Sequence, residues 1–297
     1  MLKIEPRKNR SNFLEVSAPV IAVFLTMIFG GFLFLSMGKN PFEAIKLIFW
    51  DPIMSPTFSE YSRPQLVIKA APLILIALGL SFGFRANIWN IGAEGQYIMG
   101  ALISGSIGLA LYPLDSMVIF PLMILGGIIG GILWAMIPAI LKIRFNTNEI
   151  LVSLMLVYVA EQILALASVG FLRNPEGLGF PGSRDLSKYP SAANPELIAN
   201  SGIHMGVIFS IIAVIVLTYF LIYHRLGFQI KLLGQAPKAS KFSGVNSNYI
   251  IIFCLGLSGG LAGVAGMFEL TGPAGLINID FNVGSVSYTH LRAHETS

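Results

Sequence analysis

The chain has 297 residues, 55% of them hydrophobic and 11% charged, with a mean hydropathy of +0.75, a formal net charge of +4 and a pI near 9.2. Water-soluble domains carry about 25% charged residues, so this composition excludes a soluble globular fold and predicts an all-α, polytopic transmembrane helical bundle. Continuous apolarity excludes β-barrel strands, which alternate apolar and polar positions over about ten residues, and a single cysteine, Cys254, excludes a disulfide framework or a cysteine metal cluster.

Apolar runs long enough for membrane-crossing helices fall at 16–37, 66–84, 96–111, 117–141, 150–172, 203–223 and 249–270, about seven spans, the third of them short. The arm before the first run carries Lys3, Arg7, Lys8 and Arg10, and the run is too long for a signal-peptide core, so an uncleaved first helix with a cytoplasmic N-terminus is expected. The basic residues are spread through loops rather than gathered on a soluble face, which argues against nucleic acid. With that orientation Arg85, Lys142, Arg144, Arg225, Lys231, Lys238 and Lys241 fall in inner loops, whereas the outer loops at 38–65 and 173–202 mix bases with acids. The positive-inside rule agrees with the span count.

In the first outer loop, residues 41–50 place Phe42, Ile45, Ile48 and Phe49 at helical spacing, predicting an amphipathic helix in the interface. Trp50, Tyr61 and Trp89 suit an interfacial belt. Residues 84–96 form a polar, glycine-punctuated break between two apolar runs. Irregular backbone and polar side chains persist at membrane depth only where protein buries them or a cavity receives them. Asn87, Asn90, Glu94 and Gln96 are therefore candidates to line a translocation path, the alternative being a short loop between two helices.

Glycine stripes at 126–131 and at Gly256, Gly259, Gly260, Gly263 and Gly266 permit close helix packing, or line a channel. Pro138 removes a backbone donor from its helix and predicts a kink. The second outer loop, rich in Pro, Gly, Asn and Ser, has room for a lid or docking surface, or is a plain connection. In the inner loop at 224–248, a proline at the start and a glycine at the end predict a short helix over 237–243. It presents Phe242 and flanking bases, as a docking element for a cytoplasmic partner or as an ordinary basic loop. The last residues, 285–297, turn abruptly polar and read as a non-native tail on a C-terminally truncated transmembrane domain spanning 1–284.

Enzyme chemistry finds little support. His204 and His224 lie far apart near span ends, without a His-Glu-x-x-His pair, and read as interfacial or loop residues. No Gly-x-x-x-x-Gly-Lys-Ser/Thr phosphate loop is present, so nucleotide hydrolysis requires another chain. Of the carboxylates only Glu161 falls in mid-span, thin support for an ion-coupled carrier.

Three motifs then stand in order: residues 90–96 followed by Gly100; Asn146, Thr147, Asn148, Glu149 and Ile150; and Gly234 with residues 239–244. Over about 12–284 the chain resembles the permease subunit of bacterial ABC importers, in the simple-sugar and nucleoside branch that works with a Bmp-type substrate-binding lipoprotein. The resemblance implies a multi-pass inner-membrane subunit with no catalytic residues, paired with a second permease subunit as homo- or heterodimer. It implies no cofactor or metal on this chain, with ATP and Mg used by a cytoplasmic ABC ATPase. Pro237, Lys238, Ala239, Ser240, Lys241, Phe242, Ser243 and Gly244 would form the coupling helix to that ATPase, and Asn146, Asn148 and Glu149 a secondary cytoplasmic contact. A branched-chain amino-acid permease is a near neighbour. The family usually continues through further spans, and here the coupling region lacks the leading Glu-Ala-Ala seen in many other importers.

Overall fold

The computed structural model describes residues 12–198 and 201–281. The basic arm, the suspected tail and the domain boundary at 284 lie outside the described residues. The chain divides into two compact units, Met1–Pro64 and Gln65–Ser297.

The first unit holds α1 (Asn12–Ser36), α2 (Pro41–Ile45), a π-helical turn (Lys46–Trp50), α3 (Asp51–Met54) and the first residues of α4 (Ser59–Arg85). Asn40 starts α2 by accepting the Phe42 amide at 3.1 Å, and Pro41 follows at the first helical position, where its missing N–H costs nothing. The amphipathic helix expected over 41–50 forms in two short pieces, α2 and the π-helical turn, with α3 following, and Phe42, Ile48, Phe49 and Trp50 all remain exposed. Exposed apolar side chains on a short helix suit the boundary between headgroups and acyl chains.

The second unit contains the rest of α4, then α5 (Ala93–Ala110), α6 (Ile119–Phe145), α7 (Glu149–Val169), α8 (Met205–Tyr223), α9 (Arg225–Gln235), α10 (Pro237–Phe242) and α11 (Ser247–Glu269), which runs into a π-helical turn, Leu270–Ala274. The fold is all-α, and six helices among the described residues have the length and apolarity to cross a membrane. The short third span expected at 96–111 falls on α5, which is not among the six because Glu94 and Gln96 dilute its apolar run.

The centre of this unit is the packing of α5, α6 and α11. A Cβ on Gly131 would strike the Gly259 carbonyl, one on Gly263 the Gly127 carbonyl, and one on Gly100 the Gly263 backbone. Glycine is required there because the helices touch backbone to backbone, and the stripes are packing surfaces. Around this contact Tyr97, Ile98, Met123, Leu164 and Met267 complete an apolar core. α6 continues through Pro138. Cys254 is a packed core thiol, its Sγ 3.7 Å from the Phe82 carbonyl.

Contacts sort the connections of this unit to two ends. At one, Gly234 of α9 lies against the Arg85 backbone, Gly92 lies against Ser153, and Lys142 pairs with Glu149. At the other, the Tyr189 hydroxyl donates to the carbonyls of Leu111 and Leu114, the Ser183 amide donates to Ile277 at 2.8 Å, and the Asn194 amide donates to Thr271 at 3.0 Å. The 224–248 segment carries one helix more than expected. α9 forms because His224 Nδ1 accepts the Leu226 amide at 3.2 Å and because Gly227 and Ile230 are buried while Arg225 and Lys231 stay outside. Its charge disguised it as loop.

Candidate functional site

The polar break between α4 and α5 is a tight, buried turn. Asn87 leaves α4 in the left-handed region at φ 57°, and its Oδ1 accepts the Trp89 indole N–H at 3.2 Å while that ring lies 4.8 Å from Phe84. Asn90 is 2% exposed. Its Nδ2 donates to Gln96 Oε1 at 2.8 Å and to Ser258 Oγ of α11 at 2.9 Å. Its Oδ1 accepts Gln96 Nε2 at 3.0 Å and the Gly92 amide at 3.1 Å. Two donors and two acceptors are the full capacity of a side-chain amide. The Ile91 amide adds a bond to Ser153 Oγ of α7 at 3.2 Å, so the turn is tied to three helices. Glu94 is buried in the first turn of α5, where the helix dipole favours a carboxylate.

The four path candidates therefore separate. Asn90 and Gln96 spend their amides on each other, on Ser258 and on the Gly92 backbone, whereas Asn87 is exposed and lines a pocket of about 670 Å³ with Phe84, Arg85, Lys231, Gly234 and Gln235. That pocket joins the break to α9, and α9 leads directly into α10.

α10 follows from its sequence. Pro237 begins it, Ser240 Oγ donates back to the Pro237 carbonyl at 2.8 Å, and Gly244 leaves it at φ 73°. Ser240 is buried, which fixes the helix on the bundle, while Pro237, Lys238, Ala239, Lys241, Ser243 and Gly244 are exposed and Phe242 is 94% exposed. A large apolar ring held out beside two lysines is a ready contact for another protein.

At the same end, Asn146 ends α6 in the left-handed region at φ 50°, Asn148 Oδ1 caps α7 by accepting the Ile150 amide at 2.9 Å, and Glu149 is buried against Lys142. These residues shape the α6–α7 turn, and Glu149 is turned inward. Glu161 sits half-buried on α7, short of the buried carboxylate that the carrier reading requires. His204, read above as an interfacial or loop residue, does end the loop before α8 at the opposite end, and is buried there, 9% exposed. Sequence reasoning missed it because its neighbours come from distant segments; the one local signal is a histidine immediately before an apolar run.

A multi-span bundle whose base-rich end holds out a short helix has the form of a transport subunit. The chain belongs to the family described as the branched-chain amino acid transport system permease component, whose model matches residues 63–289. It is thus a multi-pass membrane transport subunit of an ABC transporter rather than an enzyme, which implies association with an ATPase and a substrate-binding protein. It is similar to the glucose ABC transporter permease protein TsgB13 of Haloferax volcanii, with 27% identity covering 95% of this chain and 75% of the relative. It is also similar to the nucleoside ABC transporter permease protein NupB of Lactococcus lactis, 27% identical over 85% of this chain and 70% of the relative. The guanosine ABC transporter permease protein NupP of Bacillus subtilis is 26% identical over 84% of this chain and 70% of its own length. No solved structure matches.

Proposed function

We propose that the chain is the permease of an ATP-driven importer for nucleosides or simple sugars, with α10 as the coupling helix seated in a cytoplasmic ATPase. The observation that carries this reading is α10 itself: a six-residue helix fixed through buried Ser240, with Phe242 almost fully exposed. The substrate class is supported by the named solutes of the similar permeases, glucose, nucleosides and guanosine.

On this reading the α10 end, where Arg85, Lys142, Arg144, Arg225, Lys231, Lys238 and Lys241 collect, faces the cytoplasm of a bacterial inner membrane with the N-terminus on the same side, an orientation that the positive-inside rule supports. The 170–204 segment then faces outward, toward a substrate-binding lipoprotein. A second permease subunit, identical or a sister chain, completes the path. ATP and Mg belong to the ATPase; this chain supplies no phosphate loop. ATPase closure would push α10, and through α9 the Gly234–Arg85 contact would carry the movement to the foot of α4, giving alternating access by rigid-body motion. The hydrogen-bonded turn around Asn90 keeps α4, α5, α7 and α11 together during that movement.

Uptake of labelled guanosine, glucose and leucine by vesicles holding the complete transporter tests the reading. Saturable uptake of guanosine or glucose that vanadate blocks and a protonophore spares is the expected result. Leucine uptake would favour the branched-chain amino-acid reading, which the family description supports. Uptake that collapses with the proton gradient while ATP remains would favour a carrier.

A further inference from the structure

The break that locks Asn90 inward leaves other polar groups open at the base-rich end. Phe84, Arg85 and Asn87 from the end of α4, with Lys231, Gly234 and Gln235 from α9, line a pocket of about 670 Å³. That volume falls in the roughly 300–1,000 Å³ range of small-molecule sites. Both ionisable groups on the lining are bases, and the remaining polar side chains are amides. Arg85, Asn87, Lys231 and Gln235 are all exposed, so, unlike Asn90, they are accessible to a ligand. Among the described residues neither Arg85 nor Lys231 enters an ion pair. Asn87 Oδ1 is taken by the Trp89 indole, which leaves the donor Nδ2.

The backbone sets the spacing of these groups. A Cβ on Gly234 would strike the Arg85 carbonyl, so α9 rests directly on the end of α4. Lys231 lies about one turn before Gly234, and Asn87, at φ 57°, follows Arg85 by two residues. The two cations therefore stand on two walls of one pocket whose backbones touch.

Two cations with amide donors and no acid select an anion, and the guanidinium fork fits two oxygens of a phosphate. The neighbouring surface indicates which phosphate. Phe228 precedes Lys231 by three residues, on the same face of α9, and is 65% exposed. Beside the pocket the Phe84 ring packs against Trp89 at 4.8 Å. An exposed apolar ring in line with an ammonium suits a helix lying between acyl chains and headgroups, where indole rings also gather. A free phosphate makes no use of Phe228, whereas a phospholipid lays its acyl chains against it.

We propose that this pocket binds the phosphodiester of an anionic phospholipid, with Arg85 and Lys231 on its oxygens and the Asn87 and Gln235 amides on headgroup hydroxyls. Basic pockets beside membrane helices hold such headgroups. A lipid seated there bridges α4 and α9, and so braces the segment that leads into α10. The assignment does not depend on which solute the permease moves.

The test counts lipids bound to the intact permease in detergent by native mass spectrometry, with dioleoylphosphatidylglycerol, dioleoylphosphatidylcholine or inorganic phosphate added. A basic side chain beside an anionic headgroup is worth about a fivefold preference, so one phosphatidylglycerol per chain should bind about 25-fold more tightly than phosphatidylcholine. Arg85→Gln and Lys231→Gln should each lower that preference about fivefold, and the double variant should erase it. Arg144→Gln combined with Arg225→Gln removes two exposed charges from the same end but outside the pocket, and should leave the preference unchanged. Melting of every variant should match wild type, since Arg85 and Lys231 have no ion pair to lose. An unchanged preference in the pocket double variant, or an equal loss in the control pair, would overturn the proposal. Retention of inorganic phosphate without lipid would make the site one for a free anion. Intact lipid binding with weakened ATPase association in the pocket double variant would give the pocket to the partner chain, and either result also overturns the assignment.

Discussion

The two ends of the bundle treat their polar residues in opposite ways. At the break between α4 and α5, Asn90 fills all of its amide's bonding capacity within the chain. At the far end, Asn194 and His204 are buried somewhat less, 6% and 9% exposed against 2% for Asn90, and keep polar atoms unbonded. The break is the more conspicuous in sequence, yet its amides are committed to holding helices together; the corner around His204 is inconspicuous and less fully bonded. Polarity at depth does not locate a path by itself: at Asn90 the complete set of hydrogen bonds marks a structural joint.

The glycine core between these ends gives the largest expected effect. Gly131→Leu forces a side chain into the Gly259 backbone and should cost more than about 4 kcal/mol, read as loss of folded protein in detergent. Normal yield and melting would mean that α6 and α11 are free to separate. Next comes the joint: Asn90→Leu strands Gln96 and Ser258 and should destabilise the protein by about 2–3 kcal/mol, whereas adding Gln96→Leu should cost little more. Thermal melting of the single and double variants measures this, and strictly additive losses would dissolve the network as a unit.

Phe242→Glu probes the exposed helix. With nothing inside the chain to lose, it should leave membrane insertion and melting unchanged while lowering uptake at least about tenfold, roughly 1.4 kcal/mol of coupling. Unimpaired uptake would return the segment to an ordinary basic loop. The smallest effect belongs to the α6–α7 turn. Asn148→Ala removes a helix cap and should cost about 1 kcal/mol of stability with uptake per folded transporter unchanged. A selective fall in uptake would instead make Asn148 part of the partner contact.

Much of this was legible before the structure. Apolar runs marked the membrane helices because the bilayer leaves few options for backbone hydrogen bonding, and Pro237 with Gly244 bracketed α10 because each residue's backbone limits are local. α9 was illegible because Arg225 and Lys231 masked an amphipathic pattern that becomes apparent only once Gly227 and Ile230 are buried. The Asn90 network was half legible: the polar cluster stood out, but its partner Ser258 lies 168 residues away. The surroundings of His204 were not legible at all, since Lys69, Asn194, His204 and Glu269 come together only after α4, α8 and α11 have packed.

The most direct test of the whole account is solute uptake by vesicles that contain the permease and its binding protein, with the ATPase subunit either present or omitted. The account predicts concentrative uptake with the ATPase and ATP, and none when the ATPase is left out. Concentrative uptake by the permease without that subunit would contradict it.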